Sequence, residues 1–470
     1  MEPAIAADNI NPAIVRSYDI RGHVGLELTE RDAHALGLAF ATSARDRGLH
    51  NVAVCRDGRL SSPALQRVLV QGLLAGGLSV YPVGLGPTPL LHYAVRAARL
   101  DAGIMVTASH NPSDQNGFKL LLGGEPVHGE ALRALVAIQP VARAGGRLEE
   151  ASKAQFAQIR KQYVAYLAAC AGEAPPLRIV WDCGNGAVGA VIAELTGNLP
   201  GHHTLINSRV DGRFPAHHPD PSVARNLRQL RSAVTGSGAD LGIAFDGDGD
   251  RIGVVDSVGE IVWPDQLLLL LAADVLAADP GATIVGDVKS SRVLFDGIRG
   301  RGGRAVMAPS GYVLVREAML HEGARLAGEM SGHILFADCW HRTDDALFAA
   351  MRVLLSIGRQ NLSLAKFRET LPPTATTPEL RLSCLERRKD SILCEVAERL
   401  RVAGADVDQT DGLRVTTSKG WWLLRRSGTE PKLTARCEAD SAEGLEMLKR
   451  DVELQLRLSG VEVGDTLWPM

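Results

Sequence analysis

The chain has 470 residues, with 51 basic and 54 acidic side chains, a formal net charge of −3 and only 4% aromatic residues. Balanced charge with no block of one sign calls for no nucleic-acid or membrane surface, and so few aromatics argue against base-stacking platforms. Hydrophobic content of 46% suits a soluble globular protein with ample core, and the length suits about three domains, or four small ones. The seven cysteines (Cys55, Cys170, Cys183, Cys339, Cys384, Cys394 and Cys437) are scattered and form no C-x-x-C pair. A disulfide framework or zinc knuckle is therefore not expected, and a reducing cytoplasm fits best. The opening MEPAIAADNINPAIV lacks the basic-then-apolar order of a signal peptide, and the apolar run at 267–278 is broken by Asp274 and too short to span a bilayer.

In chain order, helical periodicity in RDAHALGLAFATSARDRG leads to a strand-like NVAVCRD, a helical PALQRVLVQGLLAGG and a strand-like LSVYPVG. AGIMV and FKLLL then flank a polar loop, TASHNP. Strand, helix and strand recur at LRIVWD, NGAVGAVIAELTG and HTLINS, and again at ATIVGDV, RVLFDGIRGRGG and RAVMAPS. Such alternation predicts an α/β fold of three related domains with mostly parallel strands. After the Pro-rich LPPTATTP, strands and helices segregate, which predicts a C-terminal α+β domain. The expected boundaries are 1–153, 154–261, 262–371 and 372–470.

In LGIAFDGDGDRIGVVD an apolar strand ends in Asp246, Asp248 and Asp250, with Gly247 and Gly249 between them. Glycines let the backbone curl, and three converging carboxylates repel one another unless a hard cation neutralises them. An EF-hand loop would need Gly and Glu where Arg251 and Ser257 stand, so the pattern suits Mg²⁺ shared with a phosphate. Ser109 of TASHNP lacks the G-x-S-x-G elbow of a serine hydrolase, and His110 beside it is poorly placed as its base. Phosphoryl chemistry fits it better. DCGNGAVG carries G-x-G-x-x-G at Gly184, Gly186 and Gly189, but no acidic residue ends the next strand, so dinucleotide binding is not expected. The pairs His202–His203 and His217–His218 read as surface or loop residues rather than metal ligands. RRSGTEP (425–431) offers a concave donor set for phosphate, and GEMSGH (328–333) sets Glu329 and Ser331 on one side, if extended, to bind sugar hydroxyls.

These motifs in this order, with SYDIRG at 17–22, FPAHHPDP at 214–221 and DVKSS at 287–291, resemble the α-D-phosphohexomutases, most closely the bacterial phosphomannomutase/phosphoglucomutase group. The resemblance implies four domains around one central cleft, each contributing a loop. It implies a catalytic set of Ser109, His110, Lys119, Arg251 and His333, with Ser109 as a phosphoserine. Ser109, Asp246, Asp248 and Asp250 would hold Mg²⁺. Tyr18, Arg21, Lys289, Tyr312, Glu329 and Ser331 would line the sugar site, and Arg425, Ser427, Gly428 and Thr429 would hold the phosphate that is not reacting. The implied reaction moves phosphate between the 1- and 6-positions of mannose or glucose through a hexose 1,6-bisphosphate, which also serves as activator. A phosphosugar is then the partner, and a monomer or weak dimer the expected state. Phosphoglucosamine mutase and a non-catalytic phosphosugar binder remain the alternatives. Two departures stand out: Tyr312 replaces the histidine usual in the family, and Gly428 replaces an asparagine often found in the phosphate loop.

Overall fold

The computed structural model describes residues 10–150, 152–338, 342–427, 432–461 and 468. The first sheet runs, edge to edge, Ile20–His23, Gln115–Leu122, Ala102–Val106, Asn51–Arg56, Ser79–Leu85, Arg147–Leu148. The second runs Ile261–Val262, Ile252–Asp256, Leu241–Phe245, Leu177–Asp182, Gly201–Ile206, and the third Arg304–Ala308, Thr283–Asp287, Leu326–Gly328, Ile334–Phe336. In each, a strand of the parallel core is followed by a strand that turns back antiparallel to it: 102–106 to 115–122, 241–245 to 252–256, and 326–328 to 334–336. The loops at these three reversals are TASHNP, DGDGDR and EMSGH. Three α/β units thus offer the same topological position to three different chemistries, at the carboxyl ends of parallel strands where such sheets bind ligands.

The fourth unit is an antiparallel sheet in which the hairpin Gly420–Arg426 and Lys432–Ala439 pairs with Leu413–Thr417, and helices Glu386–Val402 and Ala442–Leu458 pack on it. It is α+β, as expected.

Strand and helix patterning follow burial. Leu241–Phe245 and Ile252–Asp256 are buried throughout and read as continuous apolar runs, as core strands covered on both faces do. Helix Glu30–Asp46 starts at a capping box in which Thr29 and Asp32 satisfy each other's backbone N–H groups. The first and fourth units each have a core of their own, whereas one apolar cluster runs unbroken from Tyr163 and Ile179 of the second to Phe336 and Leu347 of the third. Tyr163 donates to Asp345 Oδ2 at 2.9 Å within that shared core. The helix Pro264–Ala278, which carries the long apolar run, places seven residues in this core. No helix among the described residues is long and apolar enough to cross a membrane.

Candidate active site

Ser109 is buried and its backbone sits at φ +52°, in the left-handed region that costs a non-glycine residue roughly 1 kcal/mol or more. A lattice of bonds holds it there. Its N–H donates to Thr107 Oγ1 at 2.8 Å, Thr107 donates to Asp57 Oδ2 at 2.8 Å, and Asp57 pairs with the buried Arg59 at 3.0 Å. Arg59 in turn donates to the carbonyls of Ser109 (2.7 Å), Asn111 (2.7 Å), Pro112 (2.5 Å) and Gln115 (2.9 Å). From the other side Arg21, paired with Asp19, donates to Asn111 Oδ1 at 2.6 Å and Ala108 O at 3.3 Å. The loop is pinned, and its hydroxyl donates to Asp246 Oδ2 at 2.6 Å.

Asp246, Asp248 and Asp250 are fully buried, each offering an oxygen within 4.8 Å of the others. Gly247 is needed where the two loops meet, because a Cβ there would come within 2.3 Å of the Ser109 carbonyl oxygen. Asp246 Oδ1 accepts the N–H groups of Gly249, Asp250 and Arg251 at 2.9, 3.1 and 3.2 Å. Lys119 reaches Asp248 Oδ2 at 2.7 Å and also binds Asp250, while Thr88 donates to Asp248 Oδ2 at 2.5 Å. Burial, and then its carboxylate neighbours, push Asp246 well above the usual carboxylate range; against the same burial, Lys119 and Thr88 pull Asp248 below it. Burial and Asp248 raise Asp250. Asp248 Oδ1 and Asp250 Oδ1 are buried with no hydrogen-bond partner. Unpartnered buried carboxylate oxygens beside a proton-hungry third carboxylate are what a hard divalent cation satisfies, so the residues fit a metal.

Arg251 leaves this loop and donates from Nε to His333 Nε2 at 2.9 Å. A guanidinium can only donate, which makes Nε2 the lone-pair nitrogen and leaves the proton on Nδ1. That nitrogen faces Asp344 Oδ2 at 2.6 Å, a close charge contact rather than an aligned hydrogen bond. Tyr312 stacks on the His333 ring at a centroid distance of 5.4 Å. Glu329 accepts from Ser310 Oγ at 3.0 Å; against burial, Lys289, His333 and Arg251 lower it to about 2. Lys289 lies 3.7 Å from both Asp287 and Glu329. At the far end Arg425 pairs with Asp411 at 2.8 Å, and Tyr18 donates to Ser310 O at 3.2 Å. Burial and Glu329 raise the Tyr18 hydroxyl to about 12. One continuous chain of interacting charge therefore links Ser109 to Arg425.

Sequence models of four successive domains match this chain. They are described as phosphoglucomutase/phosphomannomutase alpha/beta/alpha domains I (residues 12–139), II (161–259) and III (263–374), and the C-terminal domain (379–455). A phosphomannomutase/phosphoglucomutase of Pseudomonas aeruginosa is 40% identical over 456 residues, 96% of this chain and 97% of that protein. The chain belongs to the phosphoglucomutase/phosphomannomutase family. A phosphoglucomutase of Neisseria gonorrhoeae is 39% identical over 94% of this chain and 96% of its own length. The crystal structure of a phosphoglucomutase/phosphomannomutase family protein from Burkholderia thailandensis superposes with a TM-score of 0.87 at 35% identity, covering 97% of this chain and 99% of that one.

As a member of this family the chain brings together Ser109, His110, Lys119, Arg251, His333 and the three aspartates, and sets Tyr18, Lys289, Tyr312 and Glu329 beside them. Arg21 braces the Ser109 loop. Gly428 and Thr429 lie outside the described residues, as does Cys339; Ser427 is described, and its N–H donates to Lys432 O at 2.8 Å. Residues 329–332 form a turn closed by Gly332 N–H to Glu329 O at 2.9 Å, so Glu329 and Ser331 are not side by side on an extended strand. His110 is nearer to Ser109 than its sequence position suggests, with Nδ1 3.3 Å from Oγ, and burial with nearby Arg251 and Arg21 lowers it well below the usual imidazole value. His217 lies in a loop, as read from the sequence, whereas His203 does not. His203 sits in strand Gly201–Ile206 against Trp181 Nε1 at 3.1 Å, and His217 pairs with Asp182 at 2.9 Å. The Gly-rich turn after Leu177–Asp182 braces the acidic loop, Ala187 N–H donating to Gly247 O at 2.9 Å.

Sequence reasoning missed Asp57, Arg59, Thr88 and Asp344. The string RDGRLSS held the signal for the first two, an Asp and an Arg at i and i+2 in a turn that ends a parallel strand.

Proposed function

We propose that the chain is a Mg²⁺-dependent phosphohexomutase that interconverts hexose 1-phosphate and hexose 6-phosphate, of mannose, glucose or both. The observation that carries this reading is the strained Ser109, whose Oγ lies 2.6 Å from Asp246 beside two carboxylates with unpartnered oxygens. Asp246, Asp248, Asp250 and the Ser109 side chain would hold Mg²⁺, which when bound supplies positive charge to phosphoryl oxygens.

The chain's own groups supply the rest. With Ser109 phosphorylated, a sugar hydroxyl attacks phosphorus: the new sugar O–P bond forms, and the Ser109 Oγ–P bond breaks to leave Oγ as an alkoxide among the cations of the site. The hydroxyl proton passes to His333 Nε2 once Arg251 swings off that nitrogen toward the phosphoryl oxygens. Asp344 holds the imidazole in that tautomer, and Arg251 and Lys119 bring cations to the charge that develops. The 1,6-bisphosphate then turns end for end. Its other phosphoryl group returns to Ser109 Oγ, and the sugar oxygen takes the proton back from His333. Enzyme and base end unchanged, and free bisphosphate rephosphorylates Ser109 when the phosphate has been lost. Glu329 and Ser331 bind sugar hydroxyls, Lys289, Tyr312 and Tyr18 line the path, and Arg425, Ser427, Gly428 and Thr429 grip the idle phosphate. Four functional units parted near residues 153, 261 and 371, a cytoplasmic location and a monomer or weak dimer complete the reading.

The test is ³¹P NMR of the purified chain with Mg²⁺ and a trace of hexose 1,6-bisphosphate, supplied with mannose, glucose or glucosamine 1-phosphate. Conversion to 6-phosphates that disappears in Ser109→Ala supports the proposal, and the preferred sugar separates it from a phosphoglucosamine mutase. Retention of sugar phosphate without conversion would make the chain a binder.

A further inference from the structure

Asp411 lies in the turn between strands Asp406–Asp408 and Leu413–Thr417 and was singled out by no motif. One of its oxygens, Oδ2, does two things. It accepts from Arg425 through Nε at 2.9 Å and lies 2.8 Å from Nη2, the side-on grip that fixes a planar guanidinium in one orientation. It also accepts the backbone N–H of Ser310 at 3.0 Å. Ser310 is itself a junction. Its carbonyl accepts from Tyr18 of the first unit at 3.2 Å, and its hydroxyl meets Asp287 at 3.1 Å and Glu329 at 3.0 Å. A single carboxylate thus joins the phosphate-gripping arginine of the fourth unit to the residue that touches both Tyr18 and the sugar-binding Glu329.

The turn is shaped for this contact. Gly412 has φ +84°, and a Cβ on it would come within 2.5 Å of the Leu424 carbonyl oxygen and 2.6 Å of Arg425 Cβ. Only glycine lets the turn lie against the end of strand Gly420–Arg426, where Asp411 reaches Arg425. Against the cost of burial, Asp411 also raises the Arg425 pKa, so the guanidinium stays charged for a dianionic ligand. An arginine already held in place loses less side-chain freedom when phosphate binds.

We infer that Asp411 is a positioning residue: it presets Arg425 for the idle phosphate of the substrate and keys that grip to the sugar-binding loop through Ser310. The inference rests on the mutase reading and deepens it.

The experiment measures kcat and KM for glucose 1-phosphate and mannose 1-phosphate in wild type, Asp411→Ala, Asp411→Asn, Arg425→Ala and the Asp411→Ala/Arg425→Ala double variant, with thermal midpoints alongside. In Asp411→Ala, KM should rise about tenfold or more, the scale of a hydrogen bond to a charged group, with kcat changed far less. Asp411→Asn keeps an acceptor oxygen and should recover part of the loss. In the Arg425→Ala background, Asp411→Ala should add nothing to KM, because Asp411 acts through that guanidinium. An unchanged KM in Asp411→Ala, or effects that simply multiply in the double variant, would overturn the inference. So would failure of both Asp411 variants to fold, since Asp411 would then serve the fold. Absence of turnover in wild type would instead remove the mutase reading itself.

Discussion

At the Ser109 end of the site, every functional group is fixed by buried bonds within or between neighbouring loops: Arg59 alone ties down four carbonyls, and Asp246 takes three backbone N–H groups. At the Arg425 end the grip is assembled across an interface between units. Arg414 of the fourth unit donates to Val288 O and Ser290 O at 2.6 and 2.9 Å, Arg436 donates to Lys289 O at 2.9 Å, and Asp411 reaches Ser310. The first end is preorganised like a protein interior, where charge that develops in the reaction meets groups already in place. The first joins the first and second units, Ser109 and Lys119 meeting Asp246 and Asp248, whereas the second joins the third and fourth. A movement of the fourth unit would therefore open the grip and leave the Ser109 frame intact. Reacting atoms need a fixed frame, and a substrate that turns around between half-reactions needs a grip able to release.

The rigid end should carry the largest effects. Asp246→Asn keeps the acceptor for the three backbone N–H groups but removes a charge, and turnover should fall by about 10³-fold or more, as the loss of a metal ligand or of electrostatic stabilisation does. Its stability should move the other way. Burial raises Asp246 above its unfolded value, so its contribution is fully present below the unfolded pKa and is lost as pH rises through the folded pKa. In chelator the wild type should therefore melt lower as pH climbs through that window, and Asp246→Asn should melt higher than wild type at neutral pH. A variant that is both inactive and less stable than metal-free wild type would contradict the strain placed on this end.

Arg59→Lys comes next. One ammonium cannot replace the fork that serves Asp57 and four carbonyls, and the loss should be about 3 kcal/mol of unfolding free energy with a matching fall in activity, read by urea denaturation and turnover. An Arg59→Lys chain as stable and active as wild type would mean that the Ser109 backbone conformation does not depend on this lattice.

The same contrast governs what could be read from the sequence. The α/β alternation, the acidic loop and the polar reversal at TASHNP are local patterns, and local patterns survive in a string of letters. That the Gly-rich turn at 184–189 is a brace rather than a nucleotide site could be half-read, from the missing acidic partner. Arg59 could not, because its importance lies in carbonyls 50 to 56 residues away. Nor could the fused core of the second and third units, since each strand looks equally buried whether its neighbour is its own unit or the next. Asp344, bridged to Leu335 just before the helix cap Asp345, and Asp411, in a turn, belong to no motif, and only the groups facing them give them meaning.

Asp344→Asn tests the middle of the site. It leaves volume and one oxygen but removes the charge that faces His333 Nδ1, so the imidazole loses its preferred tautomer. kcat should drop about 10²-fold, the usual scale for general-base catalysis, with KM nearly unchanged. A loss confined to KM would take proton transfer away from His333.

The smallest effect is expected at Tyr312. Its ring lies on His333 and meets Tyr18 edge-on at 6.3 Å, and burial raises its hydroxyl above its ordinary value, so it cannot exchange protons near neutrality. Tyr312 therefore contributes shape and a neutral hydroxyl between the two ends. Tyr312→Phe keeps the stack and removes the hydroxyl; Tyr312→His keeps a polar tip on a smaller ring. If the residue helps to choose the sugar, the ratio of kcat/KM for mannose and glucose 1-phosphates should shift by a few-fold, about 2 to 10, in Tyr312→His, and less in Tyr312→Phe. Equal ratios in all three proteins would take sugar choice away from Tyr312 and leave it as packing against the His333 ring.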